Sequence, residues 1–150
     1  MAANSRLTIA VHALAWLALA RRRGHEVLTS DQVAASVNTN PVIIRRSLSD
    51  LRRAGLVDVR HGAGAGWSLA RAPEDVSLLE VYEAVEQKPL FGLHRSVPNL
   101  ECPVGRGIRP TLGEVYNGVE RAVRRELARI SIAEVLRDTL RVPGDEGVRQ

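Results

Sequence analysis

Between Thr29 and Gly55 the sequence TSDQVAASVNTNPVIIRRSLSDLRRAG leaves room for little except two short helices and a tight turn. Thr29 and Gln32 stand in the Thr-x-x-Gln relation of a capping box, in which each side chain satisfies a backbone amide that the first helical turn leaves open. That helix should end near Val37. Asn40 can then cap a second helix whose first position is Pro41, where a missing amide proton costs nothing. Ile44, Leu48 and Leu51 fall on one face of it, and Gly55 closes it. Two helices joined over Asn38 and Thr39 make a helix-turn-helix.

The flanks narrow the architecture. Upstream, Asn4 to Arg22 reads as a helix, with Leu7, Val11, Leu14 and Ala18 at three-to-four spacing and Arg21, Arg22 and Arg23 at the carboxyl end, where cations suit the helix dipole. Downstream, LVDVR and WSLAR read as strands around the glycine-rich HGAGAG, which is a hairpin. Those glycines are no phosphate-binding loop, because no Lys-Ser/Thr follows them and no helix opens after them. A helix, a helix-turn-helix and a hairpin together are a winged helix.

The second half is helical. Ser77 and Glu80 form a capping box that starts a helix running to about Glu86, and a loop rich in proline and glycine follows from Lys88 to Pro110. Thr111 and Glu114 repeat the signature before the longest helix, whose apolar face is Leu112, Val115, Tyr116, Val119, Val123, Leu127 and Ile130. Ser131 and Glu134 predict a break there and a short helix to about Thr139. The expected fold is mainly α with a small β-hairpin wing: a winged helix-turn-helix over residues 1–76, a helical linker with a long helix over 77–140, and a disordered tail over 141–150.

A chain of 150 residues can bury a core of this kind without a disulfide framework, and it has one cysteine. No apolar run reaches membrane-spanning length, and the first one is followed, not preceded, by its basic cluster; a cytoplasmic protein is expected. The net charge of +4 is unevenly placed. Residues 1–76 carry ten Arg/Lys against six Asp/Glu and the rest carries eleven against eleven, so the whole excess lies with the winged helix. A polyanion is the partner that suits it.

With Ile44, Leu48 and Leu51 turned inward, the outward positions include Asn40, Pro41, Val42, Arg45, Arg46, Ser49 and Arg52. In a winged helix the second helix of the pair enters the major groove and the hairpin tip lies along the neighbouring minor groove or backbone. Arg45 and Arg46 are the candidates for base reading, since arginine donates two hydrogen bonds to a guanine edge. Thr39, Asn40 and Ser49 suit phosphate or secondary base contacts, and Arg60 and His61 stand where a wing meets DNA. The alternative from another class is a winged-helix adaptor that binds protein through the same face.

Three stretches carry a family resemblance: SVNTNPVIIRRSLSDLRRAGLVDVR, the glycine-rich wing before WSLAR, and PEDVSLLEVYEAVE. They resemble the Rrf2 family of bacterial regulators, which includes the IscR, NsrR and CymR groups, and the likeness runs from NSRLTIAVHALAWLA to ISIAEVL. The resemblance implies a homodimeric transcriptional regulator, a repressor, on a pseudo-palindromic double-stranded DNA operator. It also implies that the long helix packs against its partner and crosses to the other subunit. Two departures stand out. The wing RHGAGAGW differs from the family's tighter arginine-glycine loop, and the three cysteines of the cluster-binding members are replaced by Cys102 alone, so an iron–sulfur cofactor is not supported.

Cys102, in VPNLECPVGRGI, has three readings: a buried filler, a redox sensor, or one ligand of a mixed metal or cluster site with His12 or His94. If Pro103 opens a helical turn, the positive end of that turn and Arg106 both favour thiolate. A cysteine–histidine nucleophile pair lacks a third orienting group, and no enzyme is expected. A small effector is left open.

Overall fold

The computed structural model describes residues 5–144. Six α-helices are present among them, α1 (Arg6–Arg22), α2 (Ser30–Val37), α3 (Pro41–Arg53), α4 (Leu78–Val85), α5 (Pro103–Ala128) and α6 (Ile132–Leu140), with a short 3₁₀ turn over Pro73–Asp75. One antiparallel hairpin joins β1 (Val57–Arg60) to β2 (Gly66–Leu69), with Val57 opposite Leu69 and Arg60 opposite Gly66. The mainly helical winged-helix expectation holds.

Local chemistry places the ends of the helices. Thr29 and Gln32 make the reciprocal capping box of α2, and Asn38 closes that helix in the left-handed conformation (φ 60°, ψ 54°), a region asparagine tolerates. The Asn40 carboxamide oxygen accepts from the Val42 amide at 2.8 Å, with Pro41 first in α3. Helix α1 begins at Arg6, with Ser5 at its cap; Asn4 and residues 145–150, most of the tail expected to be disordered, lie outside the described residues.

The core is built on α1. Ala10, Ala13, Leu14 and Leu17 pack against Val33, Ile44, Leu48, Leu51, Leu56 and Val57, and the same cluster takes in Val76, Val81, Val85 and Ile132. Ile44, Leu48 and Leu51 are fully buried; each contributes about 1.5–3 kcal/mol of hydrophobic stabilisation, and together they clamp one face of α3. Leu28 pairs with Trp67 through backbone bonds of 2.9 and 2.7 Å, and the Trp67 indole N–H donates to Ser30 at 3.2 Å, so the hairpin is tied to the start of α2.

The long helix differs from expectation. It starts at Pro103, about two turns before the predicted Thr111 cap, and Pro110 lies inside it. Pro110 cannot donate to the Arg106 carbonyl, and the Thr111 hydroxyl donates to the Gly107 carbonyl at 2.8 Å instead of capping a new helix. Ile130 lies beyond the end of α5, where its carbonyl accepts the Leu78 amide at 2.9 Å. With the Ile132 amide bonded to the Val76 carbonyl at 2.9 Å, this brings the starts of α4 and α6 together. Helix α5 is therefore an arm that leaves the core after α4 and returns to it at α6, and no residue in it is buried.

Candidate nucleic-acid interface

Helix α3 presents one face to the core and the other to solvent. Val42, Arg45, Arg46, Ser49 and Arg52 are all exposed, and Pro41 is half-buried at the helix start. Among the described residues the side chains of Arg45, Arg46 and Arg52 have no carboxylate or hydrogen-bond partner. Several arginines elsewhere are ion-paired: Arg71 with Glu80, Arg124 with Glu83, Arg129 with Glu126, and Arg137 and Arg141 with Asp138. Three unpaired cations thus line the outer face of a helix whose inner face, Ile44, Leu48 and Leu51, the core holds.

The turn residues are partly committed. Asn40 spends its carboxamide oxygen on the Val42 amide, and half-buried Thr39 donates its amide to the Ala34 carbonyl at 3.1 Å; the Asn40 amide nitrogen and the Thr39 hydroxyl are left for a ligand. Sequence reasoning missed Arg53. It falls in the outward row Val42, Arg46, Ser49, Arg53, recognisable by helical spacing, and it is 75% exposed although paired with Asp50.

On the wing, His61 is exposed and Gly62 and Gly64 turn the tip with φ of 78° and 70°. Arg60 is not free: it donates to Glu26 at 3.0 Å, across from the α1–α2 connection. The wing and helix α3 still face solvent from one rigid frame, because α3 runs straight into β1 through Leu51, whose carbonyl accepts the Leu56 amide at 2.9 Å.

Cys102 is exposed and takes no part in this chain's own core. It occupies the N-cap of α5, and the backbone N–H groups of Gly105 and then Val104 hold its thiol below the ordinary cysteine value. Arg106, expected to help, instead donates its Nε to the Leu100 carbonyl at 3.1 Å. Gly105 is required here, since a side-chain carbon would collide with the Asn99 backbone that folds over this turn.

His12 is half-buried, with Nε2 2.9 Å from the Ser36 hydroxyl, and the carbonyl of His94 accepts from Arg109 at 2.9 Å. No group of three or more His, Cys, Asp or Glu side chains comes together among the described residues. An iron–sulfur cluster needs several thiolate or imidazole donors, so the donor set within this chain does not fit one.

The apolar stripe assigned to the long helix splits in two. Tyr116 stacks on Phe91 with ring centroids 5.2 Å apart, and Val123 and Leu127 border a hollow with Leu7, Tyr82 and Leu90 of the same chain. Leu112 is half-buried. Val115 and Val119 are exposed, and the earlier start of the helix adds exposed Val104 and Ile108 to their row. No helix among the described residues is long and apolar enough to cross a membrane.

Comparison with known proteins agrees with this geometry. The Rrf2 family profile (iron-dependent transcriptional regulator) matches residues 3–138. YwnA of Bacillus subtilis, which carries the name of an HTH-type transcriptional regulator, is 42% identical over 134 residues, 89% of this chain and 96% of that protein. A crystal structure titled as a DNA binding protein superposes with a TM-score of 0.69 at 39% identity, covering 88% of this chain and 99% of the other. The T. potens IscR structure has the same fold, with a TM-score of 0.70 at 20% identity over 96% of this chain and 93% of its own. A winged helix with an open arginine face and a profile match along nearly its whole length, this chain belongs to the Rrf2 family of DNA-binding transcriptional regulators.

Proposed function

We propose that the chain acts in the cytoplasm as a homodimeric repressor of a pseudo-palindromic operator, residues 1–76 contacting DNA and residues 77–140 linking and pairing the subunits. The observation that carries this reading is the set of exposed, unpartnered arginine side chains, Arg45, Arg46 and Arg52, on the outer face of α3, whose inner face is locked into the core. Arg45 and Arg46 read base edges. Arg52, Ser49, Thr39 and Asn40 hold flanking phosphates, with Pro41 and Val42 in van der Waals contact at the groove. Arg60 and His61 follow the backbone at the wing. Two such helices on one dimer meet half-sites about one helical turn apart.

The test is a titration of the operator and of random duplex at several salt concentrations. Arg46→Ala, and separately Arg45→Ala, lowers discrimination by about 1–3 kcal/mol at its base while leaving random-duplex binding nearly unchanged. Arg60→Ala weakens both duplexes alike. Equal losses on both duplexes for all three variants would contradict this division of roles, and a flat salt response would favour a protein-binding adaptor.

Cys102 supports a redox input. The exposed thiolate attacks a peroxide: the O–O bond breaks, sulfur loses two electrons and becomes a sulfenic acid, and the departing hydroxide takes up a proton as water. A second thiol then displaces the sulfenic hydroxyl as water, giving a disulfide. Because the thiolate fraction is raised by the Gly105 and Val104 amides, the wild type should lose operator affinity after mild peroxide and regain it with dithiothreitol, while Cys102→Ser holds its affinity throughout. Parallel behaviour of the two proteins would exclude the thiol as sensor.

A further inference from the structure

The arginine run at the end of α1 is not used by the recognition helix. Arg21, Arg22 and Arg23 are exposed, His25 is exposed two residues later, and none of the four has a carboxylate partner among the described residues. Complementing the helix dipole accounts for cations here but not for where they face.

Their placement follows from the sheet. Leu28 pairs antiparallel with Trp67, so the connection from Gly24 to Val27 runs along the outer edge of β2, past Ser68 and Leu69. Glu26 reaches Arg60 at 3.0 Å across that short gap. Arg21 and His25 border a shallow hollow with Glu26, Val27, Leu28 and Trp67, on the outer edge of the same sheet. Arg22 turns the other way, toward Glu74, Ser131, Glu134 and Arg137. Neighbours in sequence therefore face different surroundings, and Glu26, the carboxylate bordering the hollow of Arg21 and His25, is already taken by Arg60.

We propose that Arg21 and His25 form a second phosphate-binding rim on the outer edge of the wing, gripping the sugar–phosphate backbone beyond the half-site that α3 reads. The inference rests on α3 and the wing contacting DNA. Both groups donate N–H bonds, the ligand they suit is a run of phosphates, and the Leu28–Trp67 bonds hold them in one body with the wing. The rim lengthens the footprint without reading sequence.

The experiment measures affinity against salt for the wild type, Arg21→Gln, Arg22→Gln and Arg46→Ala. Each protein meets a long operator duplex, a random duplex of that length, and the operator trimmed to its half-sites. Arg21→Gln should reduce the log–log salt slope by about 0.9 per half-site, weaken both long duplexes equally, and lose most of the affinity difference between long and trimmed operator. Arg22→Gln should keep the wild-type slope. An unchanged slope in Arg21→Gln, or an equal loss in Arg22→Gln, overturns the rim. If Arg46→Ala still loses base preference in that case, the regulator reading stands without it; if the wild type itself binds no DNA, both fall together.

Discussion

The double variant Val115→Glu/Val119→Glu should sediment as a monomer and bind the full operator about 10²–10⁴-fold more weakly than the wild type, while its affinity for an isolated half-site stays within a few-fold. Helix α5 is 26 residues long without a single buried position. Isolated helices gain little from propensity alone, and stability comes from packing an apolar face. One side of α5 has such packing through Tyr116, Val123 and Leu127 against its own chain, and through the Arg124–Glu83 pair at 2.8 Å. The other side carries Val104, Ile108, Val115 and Val119 in the open, Val115 at 52% exposure, in a row that continues across half-buried Leu112. In the proposed two-fold dimer this row would meet a second copy of itself, since an isologous interface needs one self-complementary patch. Carboxylates facing each other across that seam would be desolvated and mutually repelled, so the subunits separate. The operator penalty then reflects loss of the tether that makes the second half-site encounter intramolecular. A variant that stays dimeric with undiminished operator affinity would place the seam elsewhere, on the Tyr116 and Leu127 side.

The uneven legibility of the sequence follows the same physics. Helices α2, α3, α4 and α6 could be read to within a residue or two because each start is written locally, by Thr29, Asn40, Ser77 and Ser131, and each cap is made as expected. The inward face of α3 was equally legible, since three apolar residues at helical spacing admit one orientation. Helix α5 was misread at its start because Pro110 followed by Thr111 and Glu114 imitates a helix opening. The true opening is Cys102 followed by Pro103, and cysteine is not a residue whose side chain announces a cap. That error hid Val104 and Ile108 and placed Pro110 in a loop. Contacts between distant segments left no local mark at all: nothing near Arg60 points to Glu26, and nothing near Arg21 reveals that Leu28 will carry its loop to the wing.

Gly66→Ala should lower the melting temperature by roughly 6–16 °C at fixed protein concentration, a loss of about 2–4 kcal/mol, whereas Gly24→Ala should cost about 1 kcal/mol. Both glycines have positive φ, 158° for Gly66 and 86° for Gly24, so backbone preference alone does not separate them. Space does. A Cβ on Gly24 meets nothing within 4 Å, but on Gly66 it meets the Leu28 carbonyl oxygen and the Val27 Cβ, each at 2.8 Å. The first of these is backbone and has no rotamer into which to retreat. Relief requires β2 to move off Leu28, which breaks the bonds of 2.9 and 2.7 Å between Leu28 and Trp67 and draws the indole N–H from Ser30. The wing would then swing free of α2 while α3, held by Ile44, Leu48 and Leu51, keeps its place. DNA binding separates the consequences: Gly66→Ala should lose affinity on operator and random duplex together, with base discrimination by Arg45 and Arg46 retained. If discrimination collapsed as well, the wing would be setting the pose of α3 in the groove, and the recognition helix could not be treated as positioned by its core face alone.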